Sequence, residues 1–238
     1  MTNRAFNAAY VSQSIDIDFQ ILKRYENHLD SLQFIVLPID HSTLFSNLYN
    51  SSESWRLKNY YLYLGIDEKV KIKNRFELLT LQMKVNLMRI INHYLRGRSY
   101  ITSSNLGWGK MYKTRRNASL AQTGILAAQR HSSVPDDNFL NNVHVLQLII
   151  DFAKKHNARL LLYTSPAHSS YVENLSQLRI ARTDEVIAKL VDSNDNVFYH
   201  SFLTDESFVD ADFRDADHLN EIGARKLTLK IDSLLLKR

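Results

Sequence analysis

One run of six residues limits the fold most severely. Arg159-Leu160-Leu161-Leu162-Tyr163-Thr164 is short and almost wholly apolar, and Ser165-Pro166-Ala167-His168 stops it, the proline biasing the residue before it away from helix. It is the clearest strand in the chain. Phe34-Ile35-Val36-Leu37-Pro38-Ile39 is a second run, bounded by polar residues, and reads as a buried strand. Val197-Phe198-Tyr199-His200 is a third, shorter one. Helical periodicity fills the intervals. Residues 138–156 space Phe139, Val143, Leu146, Ile149, Ile150 and Ala153 as a helix, and 171–191 do the same with Val172, Leu175, Leu178, Ile180, Val186, Ile187 and Leu190. Beyond His218, an apolar face of Leu219, Ile222, Leu227, Ile231, Leu234 and Leu235 gives a last helix, with Asn220 as a plausible N-cap. Strand and helix in alternation imply a parallel sheet flanked by helices, a three-layer α/β fold.

In open sheets of this kind the loops at the carboxyl ends of the strands face the ligand crevice. Asp40 and His41 follow the first strand, and Ser165 and His168 the second, so these four are candidate substrate-binding residues. The competing reading is a solvated, Asx-capped turn at Asp40-His41 and an exposed polar turn at His168.

The chemistry concentrates in Phe213-Arg214-Asp215-Ala216-Asp217-His218-Leu219-Asn220-Glu221-Ile222-Gly223-Ala224. Asp215 and His218 stand three residues apart, so one short turn presents a carboxylate and an imidazole to the same cleft. The imidazole there can take a proton from a hydroxyl, and the carboxylate can orient it and stabilise its charged form. A helix N-terminus with acidic residues and a surface His is the bland alternative. Asp-x-x-His-Leu-Asn-x-x-Gly-Ala, opening the last helix of an alternating chain, resembles the final block of the SGNH (GDSL-like) esterase and acyltransferase superfamily, and most closely its members associated with bacterial surface polysaccharides. The resemblance implies a flavodoxin-like sheet and a Ser-His-Asp triad. In that triad His218 is the general base and Asp215 its orienter, with Asp217 and Asn220 as neighbours rather than catalysts.

The chain departs from that pattern at its start. The superfamily's nucleophilic serine sits in a Gly-Asp-Ser or Gly-Ser-Ser turn after the first strand, and neither the turn nor the strand is present here. Ala5-Phe6-Asn7-Ala8-Ala9 resembles a segment that follows the nucleophile block in polysaccharide-linked members. The expectation is a missing first strand, by truncation or by loss of the nucleophile. Asn7 becomes a candidate near the oxyanion site, and Ser12 and Ser14 are the nearby hydroxyls that could substitute for the nucleophile, each read more readily as a cap.

Composition bounds what remains. The chain's 238 residues, 45% of them hydrophobic, suit a single α/β domain over 1–238. With no cysteine there is no disulfide, thiolate metal site or Cys nucleophile. No stretch of about 18 apolar residues spans a membrane, and MTNRAFNAAYVSQSIDID is not a signal peptide. As it stands the chain reads as cytoplasmic; an N-terminal signal or anchor outside it would place it in the cell envelope. No metal or organic cofactor is implied. Helical spacing also marks residues 15–29, 54–64 and about 70–95. Between Lys69 and Arg130 thirteen Lys or Arg stand against one acid, Glu77, so the rest of this chain of net charge +5 is acidic. Residues 69–133 are therefore read as a basic, mainly helical insertion that holds an anionic polymer or membrane surface or is merely a solvated face. It carries no nucleic-acid-binding motif, and nucleic acid is not an expected partner.

Together these readings predict hydrolysis or transfer of an acyl group, acetyl first, on a surface polysaccharide, with an acylated carbohydrate as partner and with little or no esterase activity from the chain as it stands unless upstream sequence supplies the nucleophile. The alternative is a non-catalytic binding or assembly protein of polysaccharide biosynthesis with the same fold. A nucleotide-binding α/β protein is disfavoured, because no Gly-rich loop follows any strand.

Overall fold

A computed structural model describes residues 5–66, 72, 83–97, 103–109 and 119–236. The chain divides into two compact units. The first holds Met1–Ala5, Glu26–Ser46 and Tyr112–Arg238; the second holds Phe6–Tyr25 and Asn47–Met111. Among the described residues, eight α-helices accompany the strands. They are, with the strands in chain order, α1 (Ile15–Tyr25), β1 (Phe34–Pro38), α2 (Leu57–Leu64), α3 (Met83–Arg96), α4 (Leu120–Ser132), α5 (Phe139–Lys155), β2 (Arg159–Thr164), α6 (Ser169–Val172), α7 (Gln177–Asp192), β3 (Val197–Ser201), β4 (Phe213–Asp215), β5 (His218–Leu219) and α8 (Glu221–Leu236).

In the first unit β1, β2 and β3 form a parallel sheet with β2 in the middle. Leu37 pairs with Leu162, and Leu162 with Tyr199. Leu160, Leu161 and Leu162 are completely buried, as a central strand covered on both faces requires. Leu161 packs with Phe198, Phe202, Ile231 and Leu235, so α8 covers its face. By strand alternation Leu160 and Leu162 point the other way. Helix α5 packs against β2 and buries Leu146, Ile149, Ile150 and Ala153. The parallel mixed α/β architecture expected from the sequence is present.

Several boundaries differ from the sequence reading. The helix expected over 171–191 is two helices, α6 and α7, with Leu175 between them buried against Ala127, Ala128 and Tyr171. Burying Leu175 in that apolar cluster takes the chain out of helical register, with no Gly or Pro to announce it. A two-stranded antiparallel ribbon, β4–β5, was not anticipated. Helix α4, which lies within the stretch read as a basic insertion, packs in the first unit against α6 and β4. Residues 98–102 and 110–118, with most of the cations beyond Arg96, lie outside the described residues, as does the start of the helix expected over 70–95 apart from Ile72.

The second unit gathers α1, α2 and α3. Its core joins Ile17 and Ile21 of α1 to Leu48, Leu57, Tyr60 and Ile66.

The loop leaving β1 is tied to α5 by one side chain. The amide Nδ2 of Asn142, completely buried, donates to the carbonyl oxygens of Thr43, Leu44 and Ser46 at 3.3, 3.1 and 2.8 Å. Asn142→Asp would set a buried carboxylate against three carbonyl oxygens. We expect it to lower stability by about 3 kcal/mol or more, measured by denaturant unfolding.

Candidate functional site

The site is built on the tip of the β4–β5 ribbon. Asp215 pairs across the ribbon with His218, leaving Ala216 and Asp217 at the tip. Ala216 is completely buried against Ala127, Ala128, Tyr171 and Leu175. Its N–H donates to Thr123 Oγ1 of α4 at 3.2 Å, and its carbonyl accepts from His168 N–H at 2.9 Å. The backbone between the two aspartates is thus pinned from both sides.

The remaining residues of the block have structural duties. Asn220 caps α8: its Oδ1 accepts from the N–H groups of Ile222 and Gly223 at 2.9 and 3.1 Å. Its Nδ2 donates to Ala211 O at 2.6 Å, anchoring the cap to the approach into β4. Gly223 is required by close approach, because a Cβ there would lie 2.3 Å from the Asp212 carbonyl oxygen.

His218 Nδ1 lies 2.8 Å from Asp215 Oδ1 and 3.4 Å from Asp217 Oδ1. Hydrogen bonds to Asp215, and secondly to Asp217, raise the imidazole to about 10, so it carries its proton at neutral pH. Asp217 is nearly enclosed, its side chain 8% exposed, and burial opposes its charge. The hydrogen bond and charge of His218 nevertheless hold Asp217 down at about 2. Asp217 Oδ2 also meets Arg130 at 3.3 Å and stands 3.9 Å from His131 Nε2. Both partners come from α4.

Behind Asp217 lies a buried cluster of rings. The Tyr171 hydroxyl is 2.6 Å from His131 Nδ1 and 3.2 Å from His41 Nε2, so it donates to one imidazole and accepts from the other. The His41 and His131 rings lie 5.5 and 5.7 Å from that of Tyr171. Burial lowers His41 to about 4, with His131 and Arg179 adding to the effect. Burial lowers His131 as well, against the pull of Asp217. Both rings are neutral at pH 7.

Asp40 and Ser165, on the loops after β1 and β2, meet where the Ser165 N–H donates to Asp40 Oδ1 at 3.0 Å. Burial raises the Asp40 carboxyl, while the Ser165 hydrogen bonds and the charge of His218 pull it down. A cavity of about 440 Å³, lined among others by His41, Thr164, Ile180, Ile187, Tyr199 and Leu203, opens between α7 and β3.

The structure therefore brings Asp215, His218, Asp40, His41 and Ser165 together in the first unit. The side chains of the other three candidates are engaged elsewhere. His168 caps α6, its Nδ1 accepting from Ser170 N–H at 3.2 Å, and its Nε2 faces Asp210 at 3.2 Å. Asn7 belongs to the second unit, where its Nδ2 donates to Gly107 O and its Oδ1 accepts from Ala9 N–H. Ser12, in the same unit, donates its hydroxyl to Glu53. The Ser14 hydroxyl accepts from the Leu48 N–H and donates to Asp16 Oδ1, so it ties the start of α1 to the segment before α2 rather than capping the helix. Sequence reasoning missed Arg130, His131 and Tyr171, whose positions carry no spacing signal relative to Asp215. Asp217, expected as a neighbour rather than a catalyst, lies within 3.4 Å of His218 Nδ1.

The donor atoms of Asp215, Asp217 and His218 lie within 4.8 Å of one another, close enough to hold a divalent cation in place of the Nδ1 proton. No protein-family model matches the chain, and no curated protein matches it.

The two kinds of histidine set opposite pH limbs. His41 is depressed in the fold, so it supports folding above about pH 6.5 and withdraws that support as pH falls through 4. His218 is raised, so its support is complete below about pH 6.5 and is lost as pH rises through 10. Melting temperatures across this range should show His41→Gln flattening the acid limb and His218→Gln the alkaline limb. In an NMR titration Asp217→Asn should lower the His218 pKa, and Asp215→Asn should lower it further. An unmoved His218 resonance in both variants would rule out the two-carboxylate account.

Proposed function

We propose that this chain performs acid–base chemistry on acylated carbohydrate, as an SGNH-like ester hydrolase or O-acyltransferase. The observation that carries the reading is the 2.8 Å contact between His218 Nδ1 and Asp215 Oδ1, on an imidazole whose side chain is 62% exposed beside the carboxyl ends of β1 and β2. With Nδ1 held by carboxylates, Nε2 is the nitrogen left to face a substrate. In the neutral ring it takes the proton of an attacking hydroxyl, from a sugar, a side chain or water. The oxygen bonds to the acyl carbon, the ester C–O bond breaks, and the departing alkoxide recovers the proton from Nε2. Asp215 orients the ring and stabilises its charged form throughout. The cavity beside His41 offers room for an acyl group or part of a sugar.

One observation favours a second reading, a binding or assembly protein of the same fold. Among the described residues no serine or threonine hydroxyl is hydrogen-bonded to His218.

Acetate release from acetylated polysaccharide, measured on the 238-residue chain, separates the two. The first reading predicts release that His218→Ala reduces by roughly 10⁴-fold and Asp215→Asn by somewhat less. Because a base raised to about 10 is neutral only in alkali, kcat/KM should climb with pH toward that value. EDTA should leave the rate unchanged if Nδ1 holds a proton rather than a metal. Labelling by a fluorophosphonate identifies a serine nucleophile. Binding of the polysaccharide without turnover, unaffected by His218→Ala, selects the second reading.

A further inference from the structure

Helix α3, Met83–Arg96 in the second unit, is turned the wrong way for a helix that covers a core. At about 100° per residue, Ile90, Tyr94, Leu87, Ile91, Leu95 and Met88 follow one another around an arc of about 160°. A helix on a globular unit normally buries such an arc. Here Leu87, Met88, Ile90, Tyr94 and Leu95 are between 42% and 80% exposed and Ile91 is half-buried, whereas among the α3 residues whose side chains are described Asn92, at the polar edge of the arc, is the buried one. Asn92 accepts from Arg96 at 2.9 Å. The helix thus presents its apolar stripe outward, a disposition that marks an interaction surface.

The charge identifies the occupant. The helix contains no acid, and Lys84, Arg89 and Arg96 are all exposed. Arg89 and Arg96 lie on the polar arc. Lys84 falls within the apolar arc at its N-terminal end, where a lysine lays its stem along apolar surface and carries its ammonium out to the polar boundary. Pairing of α3 with a second copy of itself would set these cations against one another with no acid on the helix to answer them. An anionic surface meets both features at once, apolar for the stripe and negative for its flanks. The 14 described residues of the helix extend about 21 Å, shorter than the roughly 30 Å hydrocarbon layer. Among the described residues no helix is long and apolar enough to cross a membrane. We propose that α3 is an interfacial helix that lies in the plane of an anionic lipid surface, with Leu87, Met88, Ile90, Tyr94 and Leu95 inserted and Arg89 and Arg96 at the headgroups.

Co-sedimentation of the full chain with phosphatidylcholine vesicles, and with vesicles that also contain phosphatidylglycerol, tests this. Binding is expected to the anionic vesicles at physiological salt and to be much weaker to the neutral ones. Arg89→Gln should weaken it about fivefold, the effect of one basic residue near the surface. Leu95→Asp should weaken it at least about tenfold, and Leu87→Ser should weaken it too. These side chains are exposed, so the variants should keep the wild-type melting temperature. His218→Ala should leave vesicle binding unchanged, which separates this proposal from the ester chemistry. Three results would overturn it: equal binding to both vesicle types, binding that neither Leu95→Asp nor Leu87→Ser weakens, or no binding. In the last case, a concentration-dependent dimer disrupted by Leu95→Asp would identify a second copy as the occupant.

Discussion

The ribbon tip depends on one proton. Asp215 and Asp217 bracket a single buried residue, and their carboxylates reach the same imidazole nitrogen, at 2.8 and 3.4 Å. Two carboxylates so close repel unless positive charge lies between them, and the His218 imidazolium supplies it. The same charge acts on Asp40, whose burial otherwise drives it toward the neutral acid. Removing the proton from His218 therefore disturbs three carboxyl groups on two parts of the chain.

This arrangement makes His218 a strong base that is rarely free. A base works best with its pKa near the operating pH, and two carboxylates overshoot that range. Asp217 is the adjustable member, because its second oxygen already meets Arg130, an exposed side chain on α4. A ligand that drew Asp217 toward Arg130 would weaken its hold on Nδ1 and bring His218 down toward neutrality, while Asp215 kept the ring oriented. The neutral rings of His41 and His131 add no charge behind it.

Local signals made the sheet and half of the site legible. The run 159–164 coincides with β2, since an apolar segment ended by Ser-Pro has few other solutions. Asn220 is the N-cap its position before an apolar periodicity implied, and Asp215 meets His218 because the spacing spans one tight ribbon turn. What escaped depends on contacts distant in sequence. Arg130 and His131 sit in a basic stretch that reads as an anion-binding or solvated insertion, and the packing of α4 against α6 and β4 brings them to Asp217. Tyr171 reads as one more aromatic in a helix, and the helix itself breaks at Glu173–Ser176 without a breaker residue. In α3 the periodicity was plain, but an amphipathic pattern does not say which side of the helix meets the protein.

Ala216 carries a consequence for how this site would be recognised in other chains. It is enclosed by Ala127, Ala128, Tyr171 and Leu175, and both of its backbone groups are hydrogen-bonded. A longer side chain there would have to displace two alanines of α4, and the flanking aspartates would shift with it. The distinguishing signature is therefore steric as much as ionic: Asp, a residue no larger than alanine or serine, Asp, His, an apolar residue, Asn, two free positions, Gly. Substituting valine between the two acids would preserve every charge of the tip and still dismantle it.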